Sequence, residues 1–297
     1  MTRDTDPPAV TDLITRTFTM ALDIDASPED VWRALTDAGE LVRWFPLQAR
    51  VTPGEGGSMF WGWDDRWAWE SAIETWQPGE RLTLVENRPA FDAQGALLPT
   101  AAKRLAMELT LETDAGKTRL RIVHSGFGAG ADWDDELDSV SAGWQFELRS
   151  LRHYLERHRG RDRIHAFAQR ISSLPPAAIW SRLFGDDGLR LDQPLDRVNS
   201  AAREGTPCTL RVAGSHTLTG RIAWHNPGHD LFIIVDALDD GVLRWSTWRA
   251  AGETGVQMWI ASYAPAAGDL VHELAQVMTP LLDRAAEPLL NVDRTRS

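Results

Sequence analysis

The sequence predicts an α+β chain of two successive domains, each a set of antiparallel strands closed by a long helix. Three observations carry this. The 297 residues exceed an ordinary single core and suit two domains of about 100 to 200 residues each. Between residues 13 and 158 the apolar period is two through several segments and then switches to three and four. Landmarks of the first half return in the second: Trp32, Leu35 and Leu41 are echoed by Trp180, Leu183 and Leu189, all displaced by 148, as an internal duplication would leave them. The domains are expected at 13–160 and 161–290, parted by a connector that holds Arg157, Arg159, Gly160 and Arg161.

Residues 1 to 12 read as a loose tail. Met1, Thr2, Arg3 and Asp4 are followed by Pro7 and Pro8 without the apolar run of a signal peptide. Ile14, Phe18, Met20, Leu22 and Ile24 mostly alternate with polar residues, the period of a half-buried strand. Ser27, Pro28, Glu29 and Asp30 form a capped helix start with acids facing the dipole. A short helix then carries Val31, Trp32 and Leu35. A second carries Leu41, Val42, Trp44 and Phe45 and stops at Pro46. Met59 to Trp76 reads as two strands joined near Asp64, Asp65 and Arg66, and Pro78 and Gly79 turn the chain into a strand from Leu82 to Asn87.

A loop is expected from 88 to 103. Leu105, Met107, Leu109 and Leu111 alternate cleanly, and a turn at Asp114 to Gly116 leads into Leu120, Ile122 and His124, which predicts a hairpin. From Trp133 the apolar residues Leu137, Val140, Trp144, Leu148, Leu151 and Leu155 form one helical stripe. At about 1.5 Å per residue that helix would be roughly 40 Å long, enough to cross a sheet.

Two stretches carry a family resemblance. Ser27, Pro28, Val31, Trp32, Leu35, Leu41 and Trp44 resemble the opening of the activator of heat-shock-protein-90 ATPase homologue-like family, within the START-like (SRPBCC) superfamily. Thr118, Leu120, Ile122, His124, Gly126 and Phe127, followed by Gly143, Trp144, Leu148 and Leu151, look like its last strand and closing helix. The resemblance covers about half the chain. It implies a helix-grip fold: a curved antiparallel sheet wrapped on the long helix, with room between them for an apolar ligand.

The second half reads as a degenerate copy of the same fold. Ile171, Pro175, Ile179, Trp180, Leu183 and Leu189 repeat Ile24, Pro28, Val31, Trp32, Leu35 and Leu41. Strands are expected at 208–212, 218–224, 231–235, 243–248 and 256–263. A closing helix carries Leu270, Leu274, Val277 and Leu281, with Pro280 interrupting it.

Composition narrows the function classes. Hydrophobic residues are 43% and charged residues 25%, enough apolar side chain for real cores. The net charge of -12 repels phosphate backbones and anionic lipid surfaces, so nucleic acid is not an expected partner, and no apolar run approaches membrane-spanning length, so membrane insertion is not expected. The charge is uneven: residues 1 to 160 hold 17 Lys and Arg against 27 Asp and Glu. Cys208 is the single cysteine, which rules out an intrachain disulfide and fits a reducing cytoplasm.

The candidate ligand-binding residues are Glu86, Met107, Leu109, Leu120, Ile122, His124, Trp133, Leu137, Val140 and Trp144. Alternation puts His124 on the face of Leu120 and Ile122, and Glu86 on the face of Leu82 and Leu84. Each also has a structural reading, His124 as a backbone cap beside Gly126 and Glu86 as a surface carboxylate. The 14 Trp include Trp61, Trp63, Trp67, Trp69 and Trp76 with Phe60 in one crowded stretch. Alternation divides these between the two sheet faces.

Asp132, Asp134, Asp135, Glu136 and Asp138 suit a helix dipole better than a cation. His216, His225, His229 and His272 lack ligand spacing, so no metal is assigned. No nucleophile elbow or phosphate loop occurs, and no cofactor is implied. The leading reading is a cytoplasmic protein that binds a small hydrophobic molecule. The alternatives are a polyketide cyclase/aromatase-like or hydratase-like enzyme using the same cavity, and a co-chaperone or other module with a protein partner.

Overall fold

A computed structural model describes residues 15–63, 68–91, 97–114, 116–128, 133–185, 188–192, 204–212, 216–250 and 252–287. Leu13 and Ile14, the turn residues Asp64 to Arg66, Trp67 and Asp132 lie outside the described residues. The first half runs β1 (Arg16–Ile24), α1 (Pro28–Thr36), α2 (Ala38–Trp44), β2 (Gln48–Thr52), β3 (Ser58–Gly62), β4 (Ala68–Gln77), β5 (Arg81–Phe91), β6 (Leu97–Asp114), β7 (Lys117–Phe127) and α3 (Asp134–His153). One π-helical turn, Tyr154–His158, extends α3. The second half runs β8 (Ile164–Ser172), α4 (Pro176–Leu183), β9 (Leu189–Leu191), β10 (Pro207–Val212), β11 (His216–Asn226), β12 (Asp230–Val235), β13 (Gly241–Ala250), β14 (Glu253–Ser262) and α5 (Gly268–Ala286).

These elements build two separate seven-stranded antiparallel sheets, in the orders β1-β7-β6-β5-β4-β3-β2 and β8-β14-β13-β12-β11-β10-β9. The same topology occurs twice, and the chain is a tandem of helix-grip folds. By packing, the described residues of 1–36 and 47–137 form one unit, and those of 37–46 and 138–297 the other. The sequence ranges 13–160 and 161–290 each hold one sheet, while α2 and the part of α3 from Asp138 onward group with the second unit.

In the first unit the local signals explain the elements. The Asp30 backbone N–H donates to the Ser27 hydroxyl at 3.1 Å, capping α1. The apolar side of α1, with Val31, Ala34 and Leu35 buried, packs against β6 and β7. Gly116, at φ 84°, makes the tight β6–β7 turn that an L side chain would strain.

Two expectations change here. Residues 88–91 and 97–103 are strand, because β5 and β6 stay paired through Arg88↔Lys103 and Phe91↔Leu97. The register slips between Arg88 and Ala90, where Pro89 has no N–H to give the ladder. Gln48–Thr52 is a further strand, β2, whose five residues alternate exposed and half-buried without a long apolar pattern to mark them.

In the second unit α5 lies on β8 and β14, and α4 packs against α5. Leu231, Ile233, Leu243, Trp245, Val256, Met258 and Ile260 meet Val271, Leu274, Met278 and Leu282 in one buried apolar cluster. Pro280 does not interrupt α5, which continues to Ala286. The proline deletes one backbone bond, while Leu281, Leu282 and Ala285 beyond it stay buried in the cluster and hold the last turns.

The duplicated landmarks also need correction. Trp180 and Leu183 lie in α4 as Trp32 and Leu35 lie in α1, but Leu189 opens strand β9 whereas Leu41 is helical. At Gly188 a Cβ would lie 2.2 Å from the Leu183 carbonyl oxygen, so the chain folds tightly back on the end of α4. Ile171 is 40% exposed, while Ser172 is buried as Ile24 is. The offset of 148 therefore holds through the strand end, with a serine in the isoleucine's place. Among the described residues no helix is long and apolar enough to cross a membrane.

Candidate functional site

The candidate site is the inner face of the first sheet, and strand alternation builds it. Across β5, β6, β7 and β1 one row reads Leu84, Met107, His124 and Phe18. The next reads Leu82, Leu109, Ile122 and Met20. A third holds Leu111, Leu120 and Leu22. Met107, Leu109, Leu120 and Ile122 are all buried. They stand on one face as their sequence period requires.

Polar side chains enter this face toward one end. Glu86 lies opposite Leu105 on β6 and is half-buried. The buried Ser71 hydroxyl, reaching from β4, donates to its carboxylate at 3.1 Å. His124 lies one row inward, half-buried, with its ring 5.0 Å from that of Phe127 and tilted by 59°. Phe127 in turn meets Trp133 edge-on at 6.0 Å.

Gly126, two residues after His124, has a φ of 101°, and a Cβ there would lie 2.2 Å from the Arg104 carbonyl oxygen. Only glycine lets β7 approach β6 this closely where His124 is presented. On the other side of Ser71, Trp61 pairs with Trp69, and Trp63 stacks on Trp69 at 4.9 Å.

Of the ten sequence-selected residues, Glu86, Met107, Leu109, Leu120, Ile122 and His124 share this face. Trp133 is buried and Leu137 half-buried in the same unit. Val140 and Trp144 fall in the second unit, where the Trp144 ring lies 5.6 Å from Phe45. Sequence reasoning missed Ser71, whose place two residues from both Ile73 and Trp69 on β4 was the available signal. Asp134 forms an ion pair with Arg16. The second unit's Cys208 is buried, and burial pushes its thiol up to about 11, far from a reactive thiolate.

No curated protein sequence matches the chain. Among solved structures, protein MLL2253 from Mesorhizobium loti is 23% identical, covers 48% of this chain and 99% of its own, and has a TM-score of 0.41. The Aha1 dimer from Colwellia psychrerythraea is 20% identical over 48% of this chain and 96% of its own, at 0.38. The di-domain ARO/CYC BexL of the BE-7585A biosynthetic pathway is 14% identical over 93% of this chain and all of its own, at 0.40. Residues 25–156 match the family described as activator of Hsp90 ATPase homolog 1-like protein. The matched stretch runs from just after β1 into the π-helical turn that extends α3.

Proposed function

We propose that the first domain binds a small, mainly hydrophobic molecule on the inner face of β4–β7. One observation carries the reading: a broad apolar surface is interrupted by Ser71, Glu86 and His124 in two neighbouring rows. A ligand site needs this composition, with apolar area for affinity and a few convergent polar groups for orientation. Glu86 would accept a hydrogen bond from a ligand hydroxyl or amine, and His124 would hold a second polar atom. The Trp61, Trp63 and Trp69 rings would flank the polar end.

Native mass spectrometry of the full chain purified from its own host tests this. A retained small molecule released by unfolding supports the reading. A bare chain, with no ligand captured from a hydrophobic library, overturns it.

The cyclase-like or hydratase-like reading draws on the same face. Glu86 and His124 are a carboxylate and an imidazole, the two groups there able to exchange protons in general acid–base work. Turnover of a bound ligand, abolished in Glu86→Gln, separates catalysis from binding alone. A cytoplasmic setting rests on the lone cysteine.

A further inference from the structure

We propose that Glu147 of α3 and Asp230 of β12, two carboxyls sharing the guanidinium of Arg244, form a proton-operated latch that holds α3 on the outer face of the second sheet. Both acids are buried, and so is Arg244. Arg244 donates to Glu147 at 3.1 Å, and its other terminal nitrogen lies 3.7 Å from Asp230. The same guanidinium covers the Phe146 ring at 3.6 Å from the centroid, and Phe146 packs edge-on against Phe232 at 4.8 Å. Phe146 thus sits with Phe232, Ile234, Val242 and Ala261 in a small apolar cluster, and the acids lie beside it.

The register shows how the sheet prepares this place. Trp224, Phe232, Arg244, Trp259 and Phe167 form one row across β11, β12, β13, β14 and β8. Asp230 and Ser246 stand in the next row. Arg149 of α3 lies over Trp224, and Arg163, just before β8, lies over Trp259.

The charged groups facing Glu147 are therefore Arg244 from β13, Arg163 from just before β8 and Asp230 from β12. Those acting on Asp230 are Arg244 and the amide of Asn226. Arg244 and Asn226 approach Asp230 without forming a well-aligned hydrogen bond to either of its oxygens, and Glu147 Oε2 has none. Among the described residues only Arg244 lies within ion-pair distance of either acid, Arg163 acting on Glu147 from farther off, and one guanidinium at that distance leaves two buried ionised carboxylates incompletely satisfied.

Protonation resolves the conflict, because a neutral carboxyl loses the desolvation penalty and gains a donor. Burial pushes Glu147 up to about 7 and Asp230 up to about 6, against the pull of the arginines. For acids raised on folding, the folded state binds more protons than the unfolded one above about pH 4. The latch is accordingly tightest in mild acid and loosens as pH rises through about 6 to 7. His153, His158 and His165, all depressed by burial, titrate in the opposite sense. A whole-protein melting curve would mix the two effects.

The experiment is hydrogen exchange on the full chain at pH 6 and pH 8, comparing amides of residues 138–153 with those of β12 and β13 in the same molecule. The expected result is that α3 loses about tenfold protection relative to the strands at pH 8, the equivalent of one pKa unit. Glu147→Gln, a neutral isostere, should erase that change. An unchanged ratio in the native protein, or an equal change in the variant, overturns the proposal. If the variant does not fold, infrared difference spectra of the native protein decide. A protonated-carboxyl stretch lost between pH 6 and 8 supports the latch, and its absence at pH 6 overturns it.

Discussion

The Tyr154 hydroxyl donates to the Glu40 carboxylate at 2.6 Å and accepts the Gly160 backbone N–H at 2.9 Å, so one side chain ties the end of α3 to α2 and to the connector. Tyr154 is fully buried, and burial beside Glu40 holds its hydroxyl up at about 12, so it stays a donor at any ordinary pH. Tyr154→Phe should destabilise the protein by about 1 to 3 kcal/mol, because it leaves the buried Glu40 and an N–H short of a partner. Urea unfolding of the two proteins measures it. A difference near zero would mean that water replaces the hydroxyl without cost.

Glu86→Gln tests the polar end of the inner face. The amide oxygen can still accept from Ser71 at the native geometry, so folding stability should change by less than about 1 kcal/mol. Loss of a charged hydrogen bond to ligand should weaken binding by about tenfold or more. Titration of the ligand identified by mass spectrometry into both proteins provides the check, and equal affinities would remove Glu86 from the site.

His124→Ala separates binding from structure at the neighbouring position. A ligand contact predicts weaker binding with little thermal change, whereas a structural role beside Phe127 predicts a loss of about 1 to 3 kcal/mol with affinity intact. Both quantities are to be measured on one variant.

In the second unit His153 Nε2 lies 2.6 Å from the Asp240 carbonyl oxygen, and His158 Nε2 lies 3.2 Å from the same atom. Burial pushes His153 down to about 4. Its neutral form is favoured on folding, so this contribution is intact above the free value near 6.5 and is lost as pH falls toward 4. His153→Gln, which keeps a donor and cannot titrate, should reduce the loss of stability between pH 6.5 and 4.5 by about 2 kcal/mol. Chemical denaturation at the two pH values would show it, and parallel losses in both proteins would contradict it.

A cut at the expected boundary gives a further prediction. A fragment of 161–297 lacks the Phe146 that packs on Phe232, Ile234, Val242 and Ala261, whereas 134–297 keeps it. The longer fragment should melt several degrees higher, since about 2 kcal/mol of buried aromatic surface corresponds to roughly 4 to 8 °C in a domain of this size.

Where a segment had one strong period, the sequence revealed both its structure and its facing. Met107, Leu109, Leu120 and Ile122 share a face because β6 and β7 alternate without interruption, and His124 follows them by parity. The strand 97–103 was hidden because its sequence, Leu-Leu-Pro-Thr-Ala-Ala-Lys, lacks alternation and carries a proline; pairing with β5 decides it. Glu147 was overlooked for a different reason. It sits beside the helical stripe of Trp144 and Leu148, where a glutamate normally faces water, and only a second apolar surface on the same helix buries it. Asp230 opens a strand, a position that reads as a turn residue in any single chain.

Ser172, buried where the first half has Ile24, donates its hydroxyl to the Ala286 carbonyl at 2.6 Å and accepts from the Leu174 N–H at 3.1 Å. Tandem copies of one fold risk misassembly during synthesis, when a strand of one copy pairs into the sheet of the other. Here the end of β8 is keyed to the last turn of its own α5. If β1 took its place, Ile24 would bring a methyl-bearing branch to the carbonyl that the Ser172 hydroxyl serves. A nascent chain that made this swap would lose that bond, so divergence between the copies disfavours the wrong strand choice while the protein folds.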